Sequence, residues 1–159
     1  MASICAHPHE RIGLKGRALK AELKAAESRC TLAEQRLTAP RRRVLELLLE
    51  SGQPVKAYDL IAAFGEDGAP AKPPTVYRAL DFLERQGFAH RIESLNAYVV
   101  CRQGPDTHAA AFLICDCCGD TREVEPVGTE QLKKVADAQG YRLTVVTVEA
   151  HGFCSACAA

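Results

Sequence analysis

The residues with the plainest chemistry in this 159-residue chain are its eight cysteines. Four stand as two Cys-x-x-Cys turns, Cys115/Cys118 and Cys154/Cys157, with 35 residues between Cys118 and Cys154. An x-x spacing lets both sulfurs reach one ion from a single turn, and two such turns complete the tetrahedral thiolate set that zinc prefers. An ion closed in by four protein ligands has no position left for a substrate, so it would fold the C-terminal part rather than catalyse. Cys117 should point away from the ion and is expected as a free thiol. Two blander readings compete: four buried, unmetallated cysteines, or a thioredoxin-like redox pair. Paired turns of this kind seldom arise from packing alone, and neither turn is followed by the βαβ pattern that a redox motif calls for.

A second set is looser in spacing. His90, Cys101, His108 and Glu123 offer two nitrogens, one sulfur and one carboxylate, a mixed four-coordinate set that suits zinc. A lone buried His or Cys is more often structural, so spacing alone leaves this set open. A zinc deaminase is excluded, because that chemistry pairs His-x-Glu with Pro-Cys-x-x-Cys. Here positions 92, 110 and 153, two beyond His90, His108 and His151, are Ile, Ala and Phe, and Cys115 and Cys154 follow Ile and Phe. No enzyme is expected, and no small-molecule substrate.

Composition places these thiols in context. Hydrophobic residues make up 47% and charged residues 25%, the balance of a folded globular chain. No run approaches the ~18 apolar residues of a membrane span, and Glu10, Arg11, Lys15 and Arg17 break any apolar leader. A cytoplasmic protein without membrane partners is expected, and in a reducing compartment many cysteines indicate metal or redox chemistry rather than a disulfide scaffold. Net charge is zero but divided: residues 1–101 carry 15 Lys and Arg against 12 Asp and Glu, and residues 102–159 carry 5 against 8. A basic half favours a polyanion, and six of the eight cysteines lie at or beyond position 101.

The boundary falls in the polar, Gly-Pro-containing stretch 102–108, giving a unit over 1–101, a hinge over 102–108 and a second unit over 109–159. In the first, helical spacing predicts helices over 14–29, over 38–51 with Thr38 as cap, over 57–64, and over 72–87 opened by Pro73-Pro74 and closed by Gly87. Two short extended runs, 88–92 and 97–101, then flank a turn at 93–96. Four helices and a hairpin in this order describe a winged helix-turn-helix. In the second unit, strands over 109–114, 121–124 and 141–149 and a helix over 129–139 make a small α/β unit with a Cys-x-x-Cys at each end of its core, so the class is α+β.

In a winged helix the helix after the turn enters the major groove, with its N-terminal residues on base edges and phosphates. Those are Thr75, Tyr77 and Arg78, while Val76, Leu80 and Leu83 remain free to pack. Arg78 suits a base or phosphate, and Tyr77 a thymine methyl or phosphate. The Arg41-Arg42-Arg43 run offers further phosphate contacts. Taken alone, the window is equally well an amphipathic, solvated helix; the hairpin behind it favours double-stranded DNA.

The stretch Ala71-Lys72-Pro73-Pro74-Thr75-Val76-Tyr77-Arg78-Ala79-Leu80-Asp81-Phe82-Leu83, with Cys115-x-x-Cys118 and Glu149-Ala150-His151-Gly152-Phe153-Cys154-x-x-Cys157, resembles the ferric uptake regulator superfamily, and within it the zinc uptake regulator branch. The likeness runs from about Leu14 to Cys157. It implies a winged-helix domain hinged to a dimerisation domain, with structural zinc on Cys115, Cys118, Cys154 and Cys157. It also implies a regulatory zinc on His90, Cys101, His108 and Glu123, hence two zinc ions per protomer, and DNA contacts at Tyr77 and Arg78. The family's Leu-Thr-Pro-Gln-Arg appears here as Leu37-Thr38-Ala39-Pro40-Arg41, with Arg41 retained. The His-rich run that iron-sensing relatives carry before the first Cys-x-x-Cys is absent, which favours zinc over iron.

The function implied is a zinc-responsive repressor of zinc-uptake genes, acting as a metallated homodimer on a palindromic operator. A redox-responsive regulator using Cys117 or Cys118, a regulator responding to another metal, and a zinc-stabilised interaction module are the alternatives. The residues assign no role to Cys5, Cys30, His7, His9 or His151.

Overall fold

A computed structural model describes residues 13–65, 69–102 and 109–158. They fall into two compact units, one within Glu10–Pro105 and one within Asp106–Ala159.

The first unit begins with α1 (Gly16–Leu32), whose Leu19, Leu23, Ala26 and Cys30 line one buried stripe at helical spacing. In α2 (Ala39–Ser51), Val44, Leu45, Leu48 and Leu49 turn inward. Gly52 closes this helix with φ of 63°, a left-handed conformation that costs glycine nothing, and its N–H donates to Leu48 O at 3.1 Å. Thr38 occupies the N-cap position but makes no side-chain cap bond, contrary to expectation. A capping hydroxyl accepts from the second or third helical N–H. Pro40 stands at the second position and has none, and Thr38 instead offers its carbonyl to Arg42 N–H at 2.9 Å.

The helix-turn-helix pair is α3 (Ala57–Ala63) and α4 (Pro73–Arg85). Proline is tolerated in the first turn of α4 because those N–H groups would have no helical acceptor. Val76, Ala79, Leu80, Phe82 and Leu83 of α4 are buried. They join Leu23, Val44, Leu48 and Leu60 in the core of this unit, each such leucine or valine contributing about 1.5–3 kcal/mol by leaving water.

The wing has three strands where the sequence predicted two. A short β1 (Val55–Lys56) precedes α3, and β2 (Ala89–Ile92) and β3 (Ala97–Val100) follow α4, in the antiparallel order β1-β3-β2. Two residues, Val55 and Lys56, are too few to show an alternating pattern; they become a strand by pairing with Tyr98 and Ala97. Asn96, at φ of 46°, makes the turn between β2 and β3.

The second unit is a mixed three-stranded sheet of β4 (Ala109–Cys115), β5 (Thr121–Val124) and β6 (Val146–Gly152), with α5 (Thr129–Ala138) in the crossover. Strand order is β5-β4-β6, antiparallel between β4 and β5 and parallel between β4 and β6. The last strand lies later than the predicted 141–149. Gly140, at φ of 74°, ends α5, and Tyr141 N–H folds back to Ala136 O at 2.8 Å. Residues 141–145 are then spent returning the chain to the start of β4, as a parallel crossover requires. The β-branched character of 144–148 does not mark where that return ends.

Leu80 is wholly buried. Leu80→Ala is expected to destabilise the first unit by about 2–5 kcal/mol in urea unfolding while zinc content stays unchanged, which checks that the two units keep separate cores.

Candidate metal centre and nucleic-acid interface

The two Cys-x-x-Cys turns sit where β4 and β6 end side by side. Cys115 is the last residue of β4 and pairs with Gly152 of β6, and Asp116 N–H donates to Gly152 O at 2.8 Å. The parallel pairing of β4 and β6 therefore delivers both turns to one end of the sheet. Gly119 N–H donates to Cys115 O at 2.9 Å, and Cys157 N–H to Cys154 O at 2.9 Å, closing each turn on itself.

The sulfurs of Cys115, Cys118, Cys154 and Cys157 all lie within 4.8 Å of one another, and Cys118 Sγ is 3.8 Å from Cys154 Sγ. A tetrahedral zinc with arms of about 2.3 Å needs sulfurs about 3.8 Å apart, so the four thiols fit that ion. Their acidities are consistent with ion binding. Main-chain N–H groups of Cys118 and Cys154 lower the Cys115 thiol to about 6; the bond from Cys154 N–H is 3.3 Å. Desolvation raises Cys118 and Cys157, and the adjacent sulfurs push Cys157 further up. Cys115 ionises readily while Cys118 and Cys157 resist, chiefly because they are desolvated; a dication among the sulfurs would offset that cost.

His151, to which the sequence assigned no role, braces this centre. Its Nδ1 donates to Asp116 Oδ1 at 2.8 Å, tying the end of β6 to the first turn. Cys117 is disulfide-bonded, correcting the expected free thiol.

Of the proposed regulatory set, His90 and Cys101 belong to the wing, Glu123 lies on β5 of the other unit opposite Phe112, and His108 lies outside the described residues. His90 pairs with Val99 across β2 and β3, and Cys101, two residues beyond Val99, donates its N–H to Phe88 O at 2.9 Å. Paired residues project from one face of a sheet, as do residues two apart, so His90 and Cys101 share a face. Their ligand atoms lie within 4.8 Å of each other.

On α4, Thr75 is half-buried and Tyr77 and Arg78 are exposed. Tyr77 is 47% exposed, and with Tyr58 of α3 and Leu32 it makes up the exposed large apolar side chains of the first unit's described residues. Two of those three stand on the helix-turn-helix. The sequence does not mark Tyr58, because a tyrosine in a short helix passes for core; only its 78% exposure sets it apart.

The arginine run behaves differently. Arg41 lays its guanidinium over the Phe82 ring, 3.6 Å from the centroid, and donates from Nη1 to Arg36 O at 2.6 Å. Arg42 pairs with Glu27 at 2.9 Å. Arg43 donates to the Phe64 and Ala63 carbonyls at 3.0 and 3.2 Å, closing the end of α3, and pairs with Glu46 at 2.9 Å. Each guanidinium of the run has a partner within the first unit.

A winged helix on the same chain as a four-thiol zinc centre is the build of a metal-dependent transcription regulator. Residues 33–151 match the ferric uptake regulator family, and the chain belongs to it. It is 44% identical over 137 residues to the zinc uptake regulation protein of Escherichia coli (strain K12), covering 85% of this chain and 80% of that one. Among solved structures it resembles a zinc uptake regulator complexed with zinc and DNA, with a TM-score of 0.81 at 42% identity over 90% of this chain and 97% of the other. It also resembles holo XcZur, with a TM-score of 0.77 at 42% identity over 87% and 97%.

Cys118→Ser removes one of four converging sulfurs. Zinc per protomer, counted by metal analysis, is expected to fall by about one, with loss of the folded second unit in circular dichroism.

Proposed function

We propose that the protein is a zinc-responsive transcriptional repressor that binds palindromic operator DNA as a metallated homodimer in the cytoplasm and represses zinc-uptake genes. The observation that carries this is the placement of two different sites on one short stretch of chain. Thr75 and the exposed Tyr77 and Arg78 open α4, and the His90–Cys101 pair stands on the wing that follows the same helix. No catalytic step is part of this reading.

Residues 1–101 form the DNA-binding domain, 102–108 the hinge and 109–159 the dimerisation domain. The second unit supports that last role: it holds nine of the twelve exposed large apolar side chains among the described residues, including Val127, Val135 and Phe153. Its β6 is an edge strand. An apolar surface of this kind on so small a unit calls for a protein partner, and a second copy satisfies both subunits at once.

Two zinc ions per protomer are proposed, structural at Cys115, Cys118, Cys154 and Cys157, and regulatory at His90, Cys101, His108 and Glu123. A divalent ion supplies a positive centre that draws neutral imidazole, thiolate and carboxylate together. Because His90 and Cys101 come from the wing, His108 from the hinge and Glu123 from the dimerisation domain, the set is complete only at one inter-domain angle. Ligation thus shifts the population toward that angle. A dimer held there presents its two α4 helices to successive major grooves, about one helical turn apart.

Arg78, exposed and held by no side chain or carbonyl among the described residues, is assigned to a base or phosphate. Arg78→Ala is expected to weaken operator binding by ~1–3 kcal/mol in a mobility-shift assay, and unchanged binding would show that α4 is not the reading helix. Cys101→Ser is expected to abolish zinc-dependent operator binding while sedimentation still shows a folded dimer carrying one zinc per protomer. A chelator should release DNA from the wild type at constant redox state. Release by mild peroxide alone, with chelator inert, would establish the redox-responsive alternative.

A further inference from the structure

The run Arg41-Arg42-Arg43 is the most basic sequence in the first unit, yet Arg41 does not present an open guanidinium. Its flat face covers the Phe82 ring at 3.6 Å and one edge donates to Arg36 O at 2.6 Å. Phe82 is only 7% exposed, and Arg41 is part of its cover. Phe82 stands four residues after Arg78 and seven after Thr75, spacings that return to the same side of a helix. The ring therefore lies, one and two turns on, on the side of α4 that carries Arg78 and Thr75. Phe82 is one of the five buried side chains of α4, with Val76, Ala79, Leu80 and Leu83, that together hold the rotation of the helix about its axis.

A second arginine acts at the end of the same helix. Arg29 of α1 donates from Nη2 to Gln86 O at 3.3 Å, where α4 ends, and lies 4.1 Å from the Phe88 centroid. A cation near the last carbonyls of a helix is favoured by the helix dipole, and its stack on Phe88 continues the hold into the start of the wing. The two arginines, from α1 and α2, thus hold α4 at the Phe82 ring and at its last carbonyl, on Gln86.

We infer that Arg41 is a positioning residue of the recognition helix, which sets the angle at which Thr75, Tyr77 and Arg78 meet DNA by stacking on Phe82, rather than a phosphate ligand. The inference rests on α4 being the reading helix. A phosphate ligand would need its charge alone. A positioning stack needs the planar guanidinium and the ring together, and lysine cannot replace that geometry.

The test is a double-mutant cycle on the zinc-loaded full-length protein. The probe is a duplex recovered by in vitro selection with the wild type, with its scrambled counterpart for non-specific binding. Arg41→Lys and Phe82→Leu are each expected to weaken the selected duplex by about 3- to 30-fold, the range of a partly desolvated cation–π contact. The double variant should bind no worse than the weaker single. Scrambled-duplex binding, zinc content and the slope of log K against log salt should stay as in the wild type. Phe82→Tyr, which keeps the ring, should bind as the wild type does.

A phosphate contact gives a different pattern: Arg41→Lys binds normally and Arg41→Met loses about one unit of salt slope. That pattern, or an additive cycle, overturns the inference. Arg78→Ala, run alongside, separates the two levels. If it leaves selected-duplex binding intact, the reading of α4 fails; if it weakens binding while the Arg41/Phe82 cycle is additive, only the positioning role fails.

Discussion

Four sulfurs brought within 4.8 Å of one another are the constraint on which the second unit depends. As thiolates they repel, and as thiols they satisfy few hydrogen bonds, so the arrangement is stable only with a dication among them. The requirement explains the sheet. A parallel pairing of β4 with β6 is the connection that lands both Cys-x-x-Cys turns at one end, and it demands the crossover through α5. The Asp116–His151 bond then fastens the end of β6 to the first turn outside the ligand set. A small unit with one short helix and three strands buries little apolar surface, and an ion held by the four thiols would supply what its core does not.

The first unit meets a different demand, since one helix must both pack and read. In α4 the two duties are separated by helical spacing: Val76, Ala79, Leu80 and Leu83 belong to the core, and Tyr77 and Arg78 stay in solvent. Basic residues nearby serve two purposes. Arg43 closes α3 and Arg29 closes α4, both by donating to carbonyls at helix ends, while Arg78 is left outward. Counting arginines along a sequence cannot separate these uses, because the distinction lies in which carbonyl or ring comes within reach after folding.

The same limit divides the features that are legible in the sequence from those that are not. The helices read over 14–29 and 38–51 follow from apolar periodicity and form as Gly16–Leu32 and Ala39–Ser51, and the stop at Gly52 follows from glycine's tolerance of a left-handed φ. The four cysteines that fit a zinc site are legible because spacing alone expresses the geometry zinc requires. Four features are hidden. Val55–Lys56 is a strand only through its partner β3; Thr38 takes the N-cap position without making a cap bond; the start of β6 is set by the crossover; and the bond at Cys117 is not written in the Cys-x-Cys-Cys spacing. Each depends on residues remote in sequence or on backbone donors that a pattern of side chains does not display.

The proposed sensing set also has an inner logic in its ligand types. A set of oxygens and imidazoles would accept iron or manganese nearly as well as zinc, whereas a thiolate shifts preference toward zinc and other softer ions. Cys101 is that thiolate, and it sits where β3 has ended but the chain is still tied by its N–H to Phe88 O. Phe88 is the ring that Arg29 covers as it grips the end of α4. The ligand that would choose the metal is therefore fastened, through one main-chain bond and one stacked arginine, to the end of the helix that would read the DNA. Selectivity for the ion and readiness of the reading helix then draw on a single short segment, residues 86–101.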